Sequence, residues 1–287
     1  MPNCYFDNVL VSHSCLESQM NNYGITIVYD VVNIALLQLQ QYDNLGGLEY
    51  NEKAFEHIRK MIHDASYDHK IDVICLPELW YTKLVKDFEK EFRTIISAAS
   101  EHNVTIIPGA FKEKIAGNVY VSCPVIASDR SILGRQFKIH LFGTQRKRYK
   151  SGSKVEIFDS GEFRFCVAIC YDVVFPEVAR SAAYNGADVL FFPSKILKEG
   201  VYPWHMYLQV RALENRIPVI AANVCGRLFG GRSMIVDFSY NKKTEIALPK
   251  IKTGSSVREE LIIVNIDLKK SRQIRKKRFG QSYIHFV

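Results

Sequence analysis

Three side chains that could do chemistry together follow three separate apolar segments of the chain. Glu78 follows the segment DVICLP, Lys138 follows SILGRQF, and Cys170 follows FRFCVAI. In α/β proteins, ligands bind outside the carboxyl ends of the strands. If the three segments are strands of that kind, the fold brings a carboxylate, an amine and a thiol to one end of the sheets.

These three groups suffice for acyl transfer through a thioester. A thiol attacks as its thiolate, and its pKa falls beside a cation or a helix N-terminus. We expect both at Cys170, from Lys138 and from a helix that begins near Pro176, and therefore an acidic thiol. A carboxylate can take the thiol proton and return it to a leaving amine, and a lysine can stabilise an oxyanion.

Each of these residues also has a purely structural interpretation. A cysteine is often a small core residue, Glu78 after Pro77 could cap a helix, and a single lysine is usually a surface residue. His140 and His205 are alternative partners for a catalytic cysteine, although neither has an evident orienting residue in the sequence.

The cysteines do not form a disulfide or metal-binding pattern. The chain has seven, at positions 4, 15, 75, 123, 166, 170 and 225, with no CxxC pair. We therefore expect a reducing, cytoplasmic location. Cys166 and Cys170 are four residues apart, which would place both on one face of a strand. Because no second pair of ligands follows them, we expect no metal site.

From Val31 onward, apolar strand-like segments alternate with helical stretches, which predicts an α/β fold with sheets buried on both faces. Helices are expected at 51–65, 83–102, 176–185 and 204–215. We assign residues 31–287 to one domain, and residues 1–30 to a disordered or loosely attached extension. That extension contains no Lys or Arg, so a secretory signal is not expected.

The 287 residues carry 38 Lys and Arg against 30 Asp and Glu, a net charge of +8, and 47% of them are hydrophobic. This composition is typical of a soluble globular protein, and no apolar run is long enough to span a bilayer. Seven of the ten residues in KKSRQIRKKR, residues 269–278, are basic. Since no aromatic residues are interleaved, this run predicts a solvated, partly helical C-terminal face rather than a nucleic-acid site.

Four segments resemble the motifs of the nitrilase superfamily, the carbon–nitrogen hydrolases. LPEL resembles the glutamate motif around Glu78, GRQFKIHLF the lysine motif around Lys138, and ICYDVVFPEVAR the nucleophile motif around Cys170. The segment WHMYLQVRALENRIPVIAAN, residues 204–223, resembles the stretch that follows the nucleophile motif. The resemblance extends over nearly all of the expected domain.

This resemblance implies a four-layer α-β-β-α sandwich and assigns roles to four residues. Glu78 would be the general base, Lys138 the stabiliser of the tetrahedral intermediate, and Cys170 the nucleophile. The backbone N–H of Tyr171 would share the oxyanion with Lys138. The resemblance also implies a cofactor-free and metal-free enzyme, with a small-molecule substrate, that forms a homodimer or higher homo-oligomer through the helices near the nucleophile.

Two acidic residues beside the nucleophile are given a structural role. We expect Asp172 and Glu177 to hold the turn and cap the following helix, with Arg180 and Arg211 as their partners. Carboxylates are favoured there because the N-terminal end of a helix carries a partial positive charge.

The segment after the lysine motif departs from the family pattern. Many members carry a second glutamate there, and the aligned position in this chain is Gln145, which keeps a hydrogen-bond acceptor but lacks the charge. The segment is also basic, with Arg146, Lys147, Arg148 and Lys150, which fits either an anionic substrate or a solvated loop.

The wording of the nucleophile motif, CYD followed by FPE, is more similar to the amidase and carbamoylase branches than to the aromatic nitrilases. The expected rim of the substrate pocket is Trp80, Tyr81, Phe142, Tyr171, Lys195 and Trp204. Lys195 could pair with a carboxylate on the substrate, which an ω-amide or an N-carbamoyl amino acid would offer.

The expected function is therefore a thiol-dependent amidohydrolase that cleaves a small amide and releases ammonia. A nitrilase that acts on a small nitrile is the near alternative. A catalytically weakened member of the family, acting as a binding or regulatory subunit, is the second alternative and is suggested by Gln145.

Overall fold

Strands and helices alternate along most of the chain, as the hydrophobic pattern predicts. The computed structural model describes residues 19–21, 24–26, 30–41 and 47–280. The strands are β1 (Gln19–Asn21), β2 (Gly24–Thr26), β3 (Val31–Gln41), β4 (Val73–Cys75), β5 (Thr105–Ile107), β6 (Phe111–Ile115), β7 (Asn118–Ile126), β8 (Ile132–Phe137), β9 (Ile157–Asp159), β10 (Arg164–Val167), β11 (Val189–Pro193), β12 (Val219–Ala222), β13 (Val224–Gly226), β14 (Met234–Asn241), β15 (Ile246–Thr253) and β16 (Glu260–Asp267). The helices are α1 (Gly47–Tyr67), α2 (Phe88–Glu91), α3 (Arg93–Glu101), α4 (Gln145–Arg148), α5 (Pro176–Tyr184), α6 (Val201–Asn215) and α7 (Leu268–Phe279), with 3₁₀ turns at Cys170–Val174 and Lys198–Gly200. The assignment of residues 1–30 to an extension falls mostly outside the described residues and stays a prediction.

Two large sheets form the body of the domain, and β1 and β2 pair separately as an antiparallel ladder. The first sheet has the order β13-β3-β4-β5-β7-β6, with β16 also paired to β3 and β8 to β7. The second sheet has the order β15-β14-β12-β11-β10-β9. The strands β3-β4-β5 are parallel in one sheet and β10-β11-β12 in the other, so the carboxyl ends of each set share one edge.

Apolar residues on alternate sides of the strands build three buried clusters. On β3, Ile34 faces the cluster shared by the two sheets, while Ala35 faces the cluster that includes α1 and α3. On β11, Phe191 joins the cluster between the sheets and Phe192 joins the cluster under α5 and α6. The predicted four-layer α-β-β-α sandwich is therefore confirmed. None of the helices that the structure describes combines the length and apolar character needed to cross a membrane.

The single helix predicted over residues 83–102 is wrong in its first part. α2 begins only at Phe88, where the side chain of Asp87 caps it, and Phe92 separates α2 from α3. Phe92 is fully buried, and its ring stacks on Phe111 with 4.5 Å between the ring centroids. Burial of this ring overrides the local preference for one continuous helix.

The basic C-terminal run forms α7, and most of its charges are paired with carboxylates of the same chain. Five of the seven basic residues lie within 3.7 Å of an acidic side chain: the pairs are Lys269–Asp30, Lys270–Asp237, Arg272–Asp188, Arg275–Asp188 and Lys277–Glu245. Leu268 and Ile274 of the same helix are buried. The expectation of a solvated, partly helical face is confirmed, since the run is helical and Lys269, Lys276, Lys277 and Arg278 are exposed. It is wrong for Arg275, which is buried with Leu268 and Ile274 against the domain. The ion pairs and the apolar side chains together attach α7 to the domain.

Asp188 is the centre of this attachment. Its carboxylate accepts hydrogen bonds from Nε and Nη2 of Arg272, at 2.8 and 2.7 Å, and from Nη2 of Arg275 at 3.2 Å. Burial raises the pKa of Asp188, but the hydrogen bonds and charges of the two guanidinium groups outweigh that effect and hold the pKa below its usual range. Asp188 therefore stabilises the fold in its ionised form.

We expect Asp188→Asn to lower the free energy of unfolding at pH 7 by about 2 to 3 kcal/mol, because it leaves two guanidinium groups without their anion. Since the pKa of Asp188 is depressed in the folded state, its contribution is complete above about pH 4 and is lost as the pH falls through the folded-state pKa. Urea unfolding of both proteins at several pH values should show the gap between them closing in acid. Glu245→Gln, which breaks the exposed pair with Lys277, is the control and should change stability far less. Equal losses in the two variants would contradict the prediction.

Candidate active site

Glu78 lies on a turn that is held by close packing of the backbone. The chain bends at Leu79, whose φ of +51° is in the left-handed region. The N–H of Glu78 donates to the carbonyl of Ser194, at the end of the second sheet, at 3.2 Å. Gly109 approaches Pro77 so closely that a Cβ on the glycine would lie 2.0 Å from the proline carbonyl oxygen. These contacts tie the turn to the ends of both sheets and fix the carboxylate.

Lys138 reaches the same place from the end of β8. Its N–H donates to Val121 at 2.8 Å, and its carbonyl accepts from the N–H of Gly152 at 2.8 Å. The ammonium group Nζ donates to Oε1 of Glu78 at 2.7 Å. The two side chains are only 1% and 2% exposed. This ion pair is therefore shielded from water, where its electrostatic attraction is strong.

Cys170 begins the 3₁₀ turn that follows β10, and it has an unusual backbone conformation. Its φ is +49°, a region that residues other than glycine rarely adopt and that costs about 1–3 kcal/mol. The side chain packs in the cluster between the sheets, whereas Cys166 packs in the cluster under α5 and α6. The expectation that these two cysteines share a face is wrong, because β10 ends at Val167 and the chain turns before Cys170.

The thiol of Cys170 is not acidic in this environment, contrary to the expectation from the sequence. Burial, and after it the charge of Glu78, raise its pKa to about 12. The charge of Lys138 and a hydrogen bond from the backbone N–H of Lys195 act in the opposite direction but do not prevail. The resting residue is therefore a neutral thiol, and the nearby cation does not by itself create a thiolate.

The lysine of the site is held in its charged form. Burial alone would lower the pKa of Lys138, but the negative charges of Glu78 and of an ionised Cys170 raise it above its ordinary value. Glu78 also hydrogen-bonds the thiol of Cys170. The arrangement can therefore move the thiol proton to Glu78 while Lys138 stays cationic beside the thiol.

Asp172 joins the segments that carry the lysine and the nucleophile. Its carboxylate accepts backbone N–H groups from Ile139 at 3.4 Å, from His140 at 2.7 Å and from Ile169 at 3.1 Å. Burial raises the pKa of Asp172, and these N–H donors together with the charge of Lys138 oppose the rise. The expected role in holding the turn is therefore correct, but the carboxylate is held by backbone N–H groups rather than by arginines.

The two arginines that were expected to pair with acidic residues near the nucleophile have other contacts. Arg211 donates to the carbonyls of Val173 and Val174, at 2.8 and 2.7 Å, and so fixes the end of the 3₁₀ turn. The guanidinium of Arg180 lies over the rings of Tyr184 and Phe279. Sequence reasoning could not identify these partners, because the acceptors are main-chain carbonyls and aromatic faces.

A cavity of about 300 Å³ opens on Cys170. Its walls are formed by Phe142, Cys170, Tyr171, Val173, Val174, Lys195, Ile196, Leu197, Glu199, Gly200, Pro203, Trp204 and Tyr207. The predicted rim residues Phe142, Tyr171, Lys195 and Trp204 are among them. Trp80 and Tyr81 are not, and their prediction as pocket residues is wrong. Both are buried in an aromatic cluster with Phe55 and Phe92, on the helix side of the first sheet.

The other two polar residues singled out from the sequence have contacts within the protein. Nζ of Lys195 donates to the carbonyl of Leu79 at 3.4 Å and lies 4.6 Å from the centroid of the Phe229 ring. The side-chain oxygen of Gln145 accepts the N–H of Phe142 at 3.1 Å. Gln145 therefore supports Phe142, a wall residue of the cavity. This hydrogen bond does not place Gln145 beside Lys138, where the family pattern has a second carboxylate.

The two histidines considered as partners of the thiol have other contacts in the structure. Nδ1 of His140 is 3.0 Å from Asp172, and its ring stacks on Phe175 with 3.4 Å between the centroids. Nε2 of His205 is 2.8 Å from the carbonyl of Arg232. Among the described residues, no group of three His, Cys, Asp or Glu side chains could hold a metal ion.

The family model for "Carbon-nitrogen hydrolase" matches residues 33–276 of this chain. The chain belongs to the carbon–nitrogen hydrolase family. The matched residues include the turn of Glu78, the end of β8 at Lys138 and the 3₁₀ turn of Cys170, and membership makes the protein a hydrolase of non-peptide C–N bonds.

Similar proteins and structures agree with this membership. The chain is 34% identical over 187 residues to the probable nitrilase C965.09 of Schizosaccharomyces pombe, covering 64% of this chain and 67% of that protein. It is 28% identical over 194 residues to the omega-amidase NIT2 of Mus musculus, covering 62% and 67%. The crystal structure of Nit3 of Saccharomyces cerevisiae, a member of branch 10 of the nitrilase superfamily, superposes with a TM-score of 0.74 at 19% identity, covering 87% and 95%, and so shares the fold.

We expect Glu78→Gln to make Cys170 more reactive toward iodoacetamide at neutral pH while reducing turnover. Removing the carboxylate charge leaves Lys138 as the main charge beside the sulfur, which lowers the pKa of the thiol. Alkylation should accelerate about tenfold or more, because each pKa unit changes the thiolate fraction tenfold. Loss of the general base should slow turnover by about 10²- to 10⁴-fold. Mass spectrometry of the Cys170 peptide measures the alkylation and ammonia release measures the turnover, with Glu89→Gln as a surface control. Unchanged or slower alkylation would contradict the prediction.

We expect Asp172→Asn to lower kcat by about 10²-fold with a smaller change in KM. Asparagine replaces one carboxylate oxygen with an NH2 group, which cannot accept the backbone N–H groups that Asp172 binds. The segments that carry Lys138 and Cys170 therefore lose their relative placement. Steady-state kinetics with Asp129→Asn as the matched control, on the exposed loop between β7 and β8, checks this. Near wild-type kcat in a folded Asp172→Asn protein would show that the carboxylate does not position the site.

Proposed function

We propose that this protein is a thiol-dependent amidohydrolase. Its substrate is a small amide. An ω-amide would give ammonia and a carboxylic acid, and an N-carbamoyl compound would give ammonia, carbon dioxide and an amine. The observation that carries this proposal is the buried pair of Lys138 and Glu78, 2.7 Å apart, in contact with the thiol of Cys170 at the base of a cavity. Base, cation and nucleophile are the three groups that acyl transfer requires.

In the proposed reaction, the sulfur of Cys170 attacks the amide carbon as its proton passes to Glu78. The C=O bond becomes an oxyanion, which Lys138 stabilises together with the backbone N–H of Tyr171. Glu78 then gives its proton to the nitrogen, the C–N bond breaks and ammonia leaves a thioester. Water attacks the thioester with Glu78 as base, and the thiol is restored as the acid leaves. No oxidant, reductant or cofactor enters the balance.

The neutral resting thiol fits this sequence of steps. Because burial holds the pKa of Cys170 near 12, proton transfer must accompany attack, and the base must contact the thiol directly. Glu78 meets that requirement through its hydrogen bond to the thiol. When an amide carbonyl in the cavity faces Lys138, the negative charge that develops on its oxygen is attracted to the ammonium group, which favours the attack.

The size and walls of the cavity support a small substrate. About 300 Å³ is at the lower end of ligand sites and suits a compound of few carbon atoms. The likeness to the omega-amidase of Mus musculus supports an amide, and the likeness to the probable nitrilase of Schizosaccharomyces pombe keeps a small nitrile as the second candidate. A nitrile would use the same thiol and would form a thioimidate before the thioester.

The assembly state stays a prediction. The homodimer implied by the family resemblance has support from one side of α6, where Tyr202, Met206 and Val210 are exposed at four-residue spacing. A second copy of the chain that covers this side would bury three apolar side chains. The cytoplasmic location likewise stays a prediction.

We expect the wild-type protein to release ammonia from at least one member of a panel of ω-amides, N-carbamoyl amino acids, aliphatic amides and nitriles. Release should fall to background in Cys170→Ala, since the nucleophile is removed. Cys166→Ala is the matched control, because Cys166 is also buried but packs on the helix side of β10. The products that remain after ammonia release, identified by mass spectrometry, assign the substrate class.

Two results would contradict the proposal. Release that persists in Cys170→Ala would exclude the thioester route. No release from any compound by a folded protein would favour a binding or regulatory subunit, and Gln145→Glu would then test whether a second carboxylate restores turnover.

A further inference from the structure

A second cavity, which we call the outer groove, lies beside Tyr171, the residue that follows Cys170 in the chain. Its volume is about 340 Å³, and it is lined by Ile139, His140, Leu141, Arg146, Tyr149, Ser151, Tyr171 and Phe175. Tyr171 lines both this groove and the cavity that opens on Cys170. The two spaces are therefore neighbours that share one aromatic wall.

The lining of the outer groove has the chemistry of an anion site. Arg146 brings a guanidinium, Tyr149 and Ser151 bring hydroxyl donors, and His140 brings an imidazole. No Asp or Glu is among the lining residues. The carboxylate that faces this cluster, Asp172, is buried behind His140 and already accepts three backbone N–H groups and the imidazole.

Arg146 is the one basic residue of its segment that lines the groove. Its Nε donates to the carbonyl of Leu141 at 3.0 Å, which anchors the guanidinium and leaves its terminal nitrogens for a further acceptor. Arg146, Lys147, Arg148 and Lys150 are all exposed, but of the four only Arg146 lines the groove, and Lys150 lies over the ring of Tyr120. One residue of the basic segment therefore lines the groove, and the other three do not.

Lys195, the other cation near the nucleophile, is engaged within the protein. Its Nζ donates to the carbonyl of Leu79 and lies against the ring of Phe229. A carboxylate at the far end of a substrate would have to compete with both contacts. A guanidinium in the outer groove offers a planar pair of donors that matches a carboxylate in geometry.

We propose that the outer groove binds the distal carboxylate of the substrate, with Arg146 as its main partner. The inference rests on the proposed function and narrows it to the monoamide of a dicarboxylic acid. The amide lies at Cys170, and the carbon chain passes over the edge formed by the Phe142 and Tyr171 rings, whose centroids are 5.0 Å apart. The apolar middle of the substrate meets these rings, and its two polar ends meet the two cavities.

The test is calorimetric binding to Cys170→Ala protein, which cannot turn the ligand over. Glutaramate is the probe, valeramide is its neutral match of equal chain length, and inorganic phosphate at constant ionic strength reports a free oxyanion. Each ligand is titrated into Cys170→Ala alone and into the same protein with Arg146→Gln, Arg146→Lys, Arg148→Gln or Lys195→Met. Arg148 is the matched control, since it lies in the same short helix and does not line the groove.

We expect Arg146→Gln to weaken glutaramate binding by about 10- to 100-fold, the range for a lost charge-assisted contact. Arg146→Lys should lose less, because the charge remains, and Arg148→Gln should change little. Valeramide binding should be the same in the Arg146 and Arg148 variants, whose altered side chains do not line the cavity at Cys170. A melting temperature for each variant confirms that it is folded.

Three outcomes would overturn the proposal. Glutaramate binding that survives Arg146→Gln but is lost in Lys195→Met assigns the carboxylate to Lys195. Equal losses in the Arg146 and Arg148 variants indicate general attraction by the basic segment. Phosphate binding that needs Arg146, with glutaramate binding that does not, assigns the groove to a separate oxyanion. Arg146-dependent binding of glutaramate by a protein that releases no ammonia would refute the proposed function while supporting the groove.

Discussion

The buried ion pair of Lys138 and Glu78 is the interaction on which the rest of the site depends. Either charge alone would be costly to bury, so each residue lowers the free-energy cost of burying the other between the sheets. The pair also explains why the sulfur beside it stays protonated, since the negative member and the loss of water outweigh the positive member. The fold therefore holds a carboxylate and an ammonium group at contact distance and keeps the thiol of Cys170 neutral; in the proposed reaction the thiol loses its proton as it attacks the substrate.

Two sheets are needed to hold this pair with its thiol. Glu78 and Lys138 come from the first sheet and Cys170 from the second, so no local element contains the whole site. Backbone contacts align the parts: the N–H of Glu78 meets the carbonyl of Ser194, and Asp172 collects N–H groups from both segments. Such contacts cost little conformational freedom at the moment of reaction, because folding has already fixed them.

Much of this arrangement could be predicted from the sequence, because it rests on local patterns. Apolar segments that end in Glu78, Lys138 and Cys170 indicate strands and their carboxyl ends, and the four-layer fold follows from the family motifs that contain them. Features that depend on burial could not be predicted. Trp80 sits beside the glutamate in the sequence but packs on the opposite side of the first sheet, and the pKa of the thiol depends on desolvation that no neighbour in the sequence reveals. The ion pairs of the basic C-terminal run could not be predicted, because its acidic partners lie far away along the chain.

The raised pKa of Cys170 also bears on how the protein withstands oxidants. Peroxides attack thiolates, and the first product, a sulfenic acid, leads to irreversible sulfinic and sulfonic acids. A thiol with a pKa near 12 offers almost no thiolate at neutral pH, and only 7% of its residue's surface is open to solvent. The burial that keeps the thiol of Cys170 protonated therefore also protects its sulfur from irreversible oxidation; in the proposed reaction the same burial requires Glu78 to accept the proton.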